Sequence, residues 1–268
     1  MEILAIEQFS ALSHPKRLAV FRLLIRRYPD AVAAGEIATF FEAAPSSMSS
    51  YLATLERAGL IVHKRQATSL LYTANLKSLN DLQAYLFQDC GRGRLSLKSS
   101  GVEIVNDNKL DVLFICVGNS ARSIFAETIL RDAAADRFNV YSAGTRPGSS
   151  LNQFAVQVMK DKGHDVSVLR AKHVSEFITP DAPRFDFVFT VCDLAANEEC
   201  PPWDGQPISG HWGMPDPVKV EGTNAQKALA FQQAYGMLRR RIEAFISIPF
   251  EELDRLSIQR EIDNIAKN

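Results

Sequence analysis

The stretch that most constrains the fold is "KLDVLFICV", residues 109–117, a nearly continuous apolar run in the middle of the chain. A strand that is buried on one face alternates apolar and polar residues, whereas a strand covered on both faces does not alternate. The run is therefore typical of a central strand in a parallel sheet that has helices on both sides.

The segments after this run alternate between strand and helix patterns. Further strands are predicted at "NVYSAGT", "FDFVFTVCD" and "QPISGHWGM", and helices at about 120–135, at "NQFAVQVMKDKG", at "NAQKALAFQQAYGMLRRRIEAFISI" and from Phe250 onward. This order predicts an α/β fold with a doubly wound parallel sheet. Ligands bind such sheets at the carboxyl ends of the strands, and Cys116 stands at that end of the first one.

The first 90 residues have a different, mostly helical pattern. Apolar residues at three- and four-residue spacing predict helices in "EILAIEQFSALSH" and "PKRLAVFRLLIRR", with Pro15 in a first turn. A short helix at about Ala34–Phe41 and a second one, opened by Ser46 as N-cap and closed by Gly59, follow. "LIVHKRQATSLLYTAN" predicts a β-hairpin, and "LKSLNDLQAYLFQDC" predicts a last amphipathic helix. Helix, turn, helix and hairpin in this order are typical of a winged helix-turn-helix.

A segment rich in Gly, Ser and Arg, "CGRGRLSLKSSG", separates the two patterns and is typical of a linker. We predict a DNA-binding domain at 1–90, a linker at 91–108 and an α/β domain at 109–268. Through Lys98 there are 12 Lys and Arg against 8 Asp and Glu, and after it 18 against 23. A basic front and an acidic back favour a nucleic-acid module joined to a second function.

Composition and cysteine content predict the compartment. The chain is 46% hydrophobic and 23% charged, and it has no apolar run long enough for a membrane span. Its start lacks the pattern of a signal peptide, so we expect a cytoplasmic protein with no membrane partner. Four cysteines are too few for a disulfide framework, so they are structural or reactive thiols. The spacing of His164, His173 and His211 is not typical of a metal site, and we predict no metal.

The motif "CVGNSARS" predicts an oxyanion site. A loop between a strand and a helix N-terminus directs several backbone N–H groups at a tetrahedral anion. Gly118 permits close approach, Asn119 tolerates a left-handed backbone, and Arg122 supplies a bidentate fork. The same field, and a hydrogen bond from Ser123, should favour the thiolate form of Cys116, which becomes the nucleophile. The predicted oxyanion-binding residues are Val117, Gly118, Asn119, Ser120, Ala121, Arg122 and Ser123.

A nucleophile of this kind needs a proton donor for the leaving group, and "HWGMPDPVKVEG" offers Asp216 before Pro217. The alternative for an Asp-Pro pair is a simple turn. Cys116, Arg122 and the late Asp-Pro resemble the low-molecular-weight protein tyrosine phosphatase family over about 109–248. In the phosphatase branch an aromatic residue usually follows Asp-Pro, whereas Val218 and Lys219 follow here.

Two more cysteines stand in "FVFTVCDLAANEECPPWDG", and Cys192 ends the third predicted strand at the same sheet edge as Cys116. "GNSARS", "SAGTRP", "TVCDLAANEECP" and "HWGMPDP" resemble the arsenate reductase branch of that family. The resemblance implies that Cys116 attacks arsenate while Asp216 protonates the departing oxygen. A Cys116–Cys192 disulfide then forms as arsenite leaves, and Cys200 passes the disulfide outward.

The same resemblance implies no tightly bound cofactor and a thiol electron donor, which is thioredoxin or else glutathione, mycothiol or glutaredoxin. Thioredoxin-coupled relatives commonly have a cysteine where Ala121 stands. Cys192 as a small core side chain is the structural alternative. The functional alternatives are a protein tyrosine phosphatase and a transcription factor whose back domain only senses an oxyanion or arsenite.

"ALSHPKRLAVFRLL", "AGEIATFFEAAPSSMSSYLATLERAGLI" and "LLYTAN" resemble the ArsR family of metal- and metalloid-responsive repressors. The resemblance implies a homodimer through the first and last helices and an operator in double-stranded DNA. A dimerisation module with no DNA role is the alternative. Cys90 stands alone where arsenite sensors have a cysteine pair, so it is a weak arsenite ligand or an ordinary helix-end residue. The residues predicted to face DNA are Ser46, Ser47, Ser49, Ser50, Tyr51, Lys64 and Arg65.

Overall fold

The computed structural model describes residues 2–90, 92, 109–198, 203 and 205–267. The chain divides into two compact units, Met1–Ser99 and Ser100–Asn268. The predicted linker, 91–108, lies outside the described residues except for residue 92. No helix within the described ranges combines the length and the apolar character that crossing a membrane requires.

The front unit is mostly helical, as the apolar spacing predicts. Pro15 is the first residue of its second helix, where the missing N–H leaves no hydrogen bond unmade. The α-helices described in this unit are α1 (Glu2–Leu12), α2 (Pro15–Arg27), α3 (Ala34–Phe40), α4 (Pro45–Arg57) and α5 (Leu76–Ala84).

The predicted end of α4 is confirmed, but its predicted start is wrong. Gly59 has φ +70°, its N–H donates to the Glu56 carbonyl at 2.8 Å, and the Leu60 N–H donates to the Leu55 carbonyl at 3.0 Å. These bonds satisfy the last carbonyls of the helix. The start lies before Ser46, because proline at the first helical position already has the backbone angle that a helix needs.

The hairpin is present as predicted and forms a three-stranded sheet in the order β1-β3-β2. The strand β1 was not predicted, because two residues carry no periodicity. The predicted last amphipathic helix is α5, and it continues as one π-helical turn, Tyr85–Cys90. The strands of this sheet are β1 (Val32–Ala33), β2 (Ile61–Gln66) and β3 (Ser69–Ala74).

The back unit is built on a parallel sheet in the order β5-β4-β6-β7, and each neighbouring pair runs in parallel. In the central strand, residues 112–116 are all buried, which means that both faces of the sheet are covered, as the apolar run predicts. The fold class is therefore confirmed. The strands are β4 (Leu110–Cys116), β5 (Phe138–Gly144), β6 (Phe187–Thr190) and β7 (Ile208–His211).

The α-helices of this unit agree with the predicted order, but one short α-helix and two 3-10 helices, Val174–Phe177 and Pro217–Lys219, were not predicted. The strand predicted at "FDFVFTVCD" ends at Thr190, and Cys192 is the N-cap of a five-residue helix. Phe125 packs edge-on against Tyr235, with ring centroids 5.5 Å apart. This contact joins the helix that follows the central strand to the long helix Asn224–Ile246. The α-helices described here are α6 (Arg122–Ala133), α7 (Gln153–Asp161), α8 (Asp193–Asn197), α9 (Asn224–Ile246) and α10 (Arg255–Lys267).

Aromatic side chains form the centre of the back core. Phe189 stacks on Trp212 with ring centroids 4.2 Å apart, and Phe114 and Phe245 pack against the same pair. All four side chains are fully buried. Burial of this much aromatic surface stabilises the sheet whose carboxyl edge carries Cys116.

Candidate active site and nucleic-acid interface

The oxyanion cradle, residues 117–123, joins the carboxyl end of β4 to the start of α6. Cys116 is the last residue of β4 and is 3% exposed. Its Sγ accepts a hydrogen bond from the backbone N–H of Asn119 at 3.1 Å and lies 2.9 Å from Ser123 Oγ. Both contacts suit a sulfur that carries negative charge, because hydrogen bonds to the charged form stabilise it.

Asn119 holds the turn of the cradle. Its φ is +41°, a left-handed conformation that asparagine tolerates better than most residues. Its side-chain amide donates to Ser123 Oγ and Ser142 Oγ, both at 2.8 Å, and its Oδ1 accepts from the Lys172 N–H at 2.7 Å. These bonds stabilise an otherwise unfavourable backbone angle and keep the Asn119 N–H directed at the sulfur.

A second loop, residues 144–152, braces the cradle from outside. Backbone N–H groups of Thr145, Arg146 and Asn152 donate to the carbonyls of Cys116, Val117 and Ser120 at 2.9–3.0 Å. A Cβ at Gly144 would lie 2.6 Å from the Val117 carbonyl oxygen. Only glycine therefore permits the approach, and this function of "SAGTRP" was not predicted from the sequence.

Arg122 faces the predicted acid. Its Nη2 lies 2.8 Å from Asp216 Oδ2, and its Nη1 donates to the Met214 carbonyl at 3.4 Å. The Arg122 side chain is 10% exposed and that of Asp216 is 23% exposed. Asp216 Oδ1 also accepts a hydrogen bond from the Val218 N–H at 3.2 Å. This bond restricts the orientation of the carboxylate whose other oxygen contacts Arg122. The acid and the arginine thus share one site, although 94 residues separate them.

Cys192 lies beside Cys116 at the same edge of the sheet, as the strand order predicts. It is a free thiol, 2% exposed, and the backbone N–H groups of Val117 and Ala195 hydrogen-bond to it. Burial raises the pKa of Cys192, while the nearby Arg122 guanidinium acts in the opposite direction. The structure therefore brings together two buried thiols and one arginine. Cys200, the third predicted thiol, lies outside the described residues.

The predicted DNA-facing residues lie on two elements of the front unit, α4 and β2. The apolar stripe of α4, Met48, Leu52 and Leu55, packs into the core and leaves the serines outside. Ser46, Ser47, Ser49 and Ser50 are exposed, and so are Lys64 and Arg65 on β2.

Tyr51 is half-buried, and its ring packs against His14 with centroids 5.2 Å apart. The hairpin contacts α4 through a hydrogen bond between His63 Nδ1 and Glu56 Oε1. Because of these contacts, α4 and the hairpin form one connected surface, to which Tyr51 contributes less than the serines.

Cys90 is exposed at the end of the π-helical turn. Tyr85 lies close enough that a hydrogen bond involving Cys90 raises the pKa of Tyr85 to about 12. Cys90 is the single cysteine among residues 1–99 of the sequence.

Comparison with known proteins agrees with this division of the chain. Residues 111–259 match the family described as low molecular weight phosphotyrosine protein phosphatase, and residues 12–64 match a helix-turn-helix domain. The cradle, the arginine and the parallel sheet define the back unit as a domain of the phosphatase type. Because the first match covers more than half of the sequence, the chain belongs to the low molecular weight phosphotyrosine protein phosphatase family.

Several relatives of the back unit are arsenate reductases. The arsenate reductase of Bacillus licheniformis is 37% identical over 139 residues, which are 52% of this chain and 96% of that protein. The arsenate reductase of Bacillus subtilis is 34% identical over 139 residues, again 52% and 96%. A solved arsenate reductase in the phosphate binding state is 26% identical, with a TM-score of 0.41, over 52% of this chain and 97% of that one.

Proposed function

We propose that the chain is a bifunctional arsenic-resistance protein, a DNA-binding regulator fused to a thiol-dependent arsenate reductase. The observation that carries the enzymatic part is the second buried thiol, Cys192, set beside Cys116 at one sheet edge. A phosphatase needs one nucleophile and water, whereas reduction of arsenic(V) needs two electrons, which two thiols supply when they become a disulfide. The similarity to arsenate reductases supports the same assignment.

In the first step the cradle binds arsenate, which has the charge and tetrahedral shape of phosphate. Backbone N–H groups of residues 117–123 and the Arg122 fork hold its oxygens. The Cys116 thiolate attacks arsenic and forms an S–As bond, while Asp216 donates a proton to the departing oxygen, which leaves as water. Arg122 exchanges its contact with Asp216 for contacts with the anion, and this exchange frees the acid.

In the second step Cys192 attacks the Cys116 sulfur as a thiolate. The S–S bond forms, the S–As bond breaks, and its electron pair stays on arsenic, which leaves as arsenite. The two sulfurs are oxidised and arsenic is reduced, so the electrons balance. Val117 and Ala195 N–H groups stabilise the Cys192 thiolate, and Arg122 acts in the same sense.

In the third step the Cys200 thiolate attacks the Cys192 sulfur, the Cys192–Cys200 bond forms, the Cys116–Cys192 bond breaks and Cys116 leaves as a thiolate. An external thiol donor then reduces the Cys192–Cys200 disulfide. We propose a thioredoxin-like reductant; glutathione, mycothiol and glutaredoxin are the donors to compare with it. No tightly bound cofactor takes part. The cycle requires reduced thiols, and we therefore propose that the chain acts in the cytoplasm.

The test is a turnover assay with arsenate and each donor, with oxidised cysteine pairs identified by mass spectrometry. We expect arsenite production and a Cys116–Cys192 disulfide in the Cys200→Ser variant. A purely sensory domain would bind arsenate and produce no arsenite. Rapid aryl phosphate hydrolysis that survives Cys192→Ala, together with no arsenite, would make the chain a phosphatase instead.

For the front unit we propose binding to operator DNA, with the exposed serines of α4 in the major groove and Lys64 and Arg65 on phosphates. The helix-turn-helix match supports this assignment. A gel-shift assay with the DNA upstream of the gene, with and without arsenite, tests it. Absence of a shift at low salt would overturn the DNA-binding assignment.

We also propose a homodimer through the front unit. The first helix, α1, leaves Ile3 77% exposed, Ile6 60% exposed and Phe9 45% exposed. With Leu4, which is 39% exposed, four large apolar side chains of this eleven-residue helix are exposed, and this favours a covered surface. Sedimentation of the full chain and of an Ile3→Glu/Ile6→Glu variant tests the dimer, since the charged variant should be monomeric.

A further inference from the structure

A buried ion pair lies behind the cradle and takes no direct part in the proposed reaction. Lys172 Nζ lies 2.9 Å from Glu127 Oε2, and each residue is 8% exposed. Glu127 is on α6, in a stretch where every residue is buried, and Lys172 precedes the bridge that joins His173 to Gly144. Burying two charges costs free energy that a pair of apolar side chains would not cost, so the pair is a poor choice for stability alone.

Hydrogen bonds connect this pair to the nucleophile. Ser142 Oγ donates to Glu127 Oε2 and accepts from the Asn119 amide nitrogen at 2.8 Å. The same amide nitrogen donates to Ser123 Oγ at 2.8 Å, and Ser123 Oγ lies 2.9 Å from Cys116 Sγ. Ser123, Asn119 and Ser142 are fully buried, so no water competes for these bonds.

The chemistry of the groups determines the direction of every bond in this chain. The Asn119 amide nitrogen only donates, and it cannot be exchanged with Oδ1, because Oδ1 accepts from the Lys172 N–H at 2.7 Å. Both serine oxygens therefore accept from Asn119, and each serine has one proton left. An ionised carboxylate only accepts, so the Ser142 proton goes to Glu127, and the Ser123 proton goes to the Cys116 sulfur.

We propose that Glu127 and Lys172 are positioning residues that keep this hydrogen-bond chain oriented so that Ser123 donates to the Cys116 thiolate. Glu127 is the acceptor at which the hydrogen-bond chain ends, and Lys172 is the buried partner that holds its carboxylate there. Without the lysine, the buried Glu127 carboxylate has lost its charged partner and is no longer held against Ser142. Ser142 and the Asn119 amide that is bonded to it are then no longer held in place, and the Ser123 hydroxyl moves away from the sulfur.

Other charged groups lie near the two ends of the hydrogen-bond chain, and the substitutions tested below leave them unchanged. At the thiol they are Arg122, its partner Asp216, and Cys192. Near the buried pair they are Arg170 and Glu176, which pair with each other.

The experiment measures alkylation of Cys116 by iodoacetamide in the full chain as a function of pH, with the labelled peptide identified by mass spectrometry. We expect Lys172→Met to slow alkylation about tenfold near neutral pH, the loss that follows removal of one hydrogen bond to an ionised group. At alkaline pH the rate should return to that of the unchanged protein. Lys160→Met, an exposed lysine on α7, is the matched control and should leave the profile unchanged.

A double variant, Glu127→Gln/Lys172→Met, separates positioning from loss of stability. The amide oxygen introduced at position 127 still accepts from Ser142, and no buried charge is left unpaired. The double variant should therefore recover most of the Cys116 alkylation rate. Two independent destabilising changes would instead add. If Lys172→Met does not fold, Ser142→Ala carries the test, because it cuts the chain without removing a charge and should move the profile in the same direction.

Three results would overturn the proposal: superimposable profiles for Lys172→Met or Ser142→Ala and the unchanged protein, an equal loss at every pH, or no recovery in the double variant. The proposal rests on the proposed role of Cys116 as nucleophile. Alkylation uses no arsenate, so failure of arsenate reduction and an unchanged alkylation profile are separate results.

Discussion

Serines of the two units have opposite surroundings. On α4, Ser46, Ser47 and Ser50 are exposed side chains that the front core does not use. In the back unit, Ser123 and Ser142 are fully buried, and each is hydrogen-bonded within the hydrogen-bond chain that leads to Cys116. The α4 serines are therefore accessible to an external partner, whereas the serines near Cys116 are already hydrogen-bonded within the protein.

The difference has an energetic consequence. An exposed hydroxyl is hydrated and contributes little to stability, so it is available to an external ligand. A buried hydroxyl that loses its partner costs about 1–3 kcal/mol, so changes near the cradle affect folding and chemistry together. Substitutions in the back site should therefore have larger effects than substitutions on α4.

Cys116→Ser should have the largest effect, a loss of arsenate reduction of about a thousandfold or more, because no other group forms the first bond to arsenic. Operator binding should persist, since Cys116 is buried in the core of the back unit. Steady-state arsenite release and a gel shift on the same preparation measure both. Full arsenate reductase activity in the variant would end the proposed mechanism; Cys90→Ser is the control thiol substitution.

The pH dependence of the second step should be the next largest effect. Cys192 attacks as a thiolate, and burial raises its pKa, so at neutral pH only a small fraction is ionised. Below that pKa the fraction rises about tenfold per pH unit, and the single-turnover rate of disulfide formation should rise with it. Quenched samples analysed by mass spectrometry give this rate. Aryl phosphate hydrolysis does not use Cys192 and should lack this rise, and a flat disulfide rate would contradict the prediction.

Gly144→Ala should damage the back site through shape alone. The new Cβ would lie 2.6 Å from the Val117 carbonyl oxygen and 3.0 Å from the Asn119 nitrogen. Overpacking of this kind costs about 1–3 kcal/mol, and the displaced cradle should reduce arsenate turnover as well. Thermal unfolding and turnover measure the two effects. Gly148→Ala is the matched control, because its Cβ would meet nothing closer than 4.0 Å; equal behaviour of the two variants would contradict the close approach.

Ser46→Ala/Ser50→Ala should have the smallest effect on the fold and a selective effect on DNA. We expect the midpoint of thermal unfolding to stay unchanged, because surface changes are usually within about 0.5 kcal/mol. Operator affinity should fall several-fold, since a lost base contact costs about 1 kcal/mol or more. Calorimetry and DNA titration at fixed salt provide the measurements. An unchanged operator affinity would show that Ser46 and Ser50 of α4 do not contact the bases.

Local patterns predicted much of this molecule. The apolar run of β4 indicated a doubly covered strand, and the small residues between Cys116 and Arg122 indicated an oxyanion loop at its end. Both depend on residues that are neighbours in sequence. The start of α4 was predicted at the wrong residue because Pro45, rather than the serine side chain, begins the helix.

The supporting residues of the site were not predicted. Ser142 and Lys172 lie 23 and 53 residues from Asn119 in sequence, and no periodicity relates them. One signal was available: Glu127 is a carboxylate in the middle of "RSIFAETIL", a segment of mostly apolar or small residues that indicates burial. A charge at such a position predicts a partner, although the sequence does not say which one.

Local sequence patterns were enough to give the order of the long helices and strands and the presence of two units, and they predict an oxyanion loop with a thiol and an arginine. The tertiary structure alone decided which polar groups meet: Cys192 with the Val117 N–H, Arg122 with Asp216, and Glu127 with Lys172. The physical reason is that periodicity and turn chemistry act between neighbours in the chain. The pairing of buried polar groups depends on distances across the packed core, and these exist only after the sheet has formed.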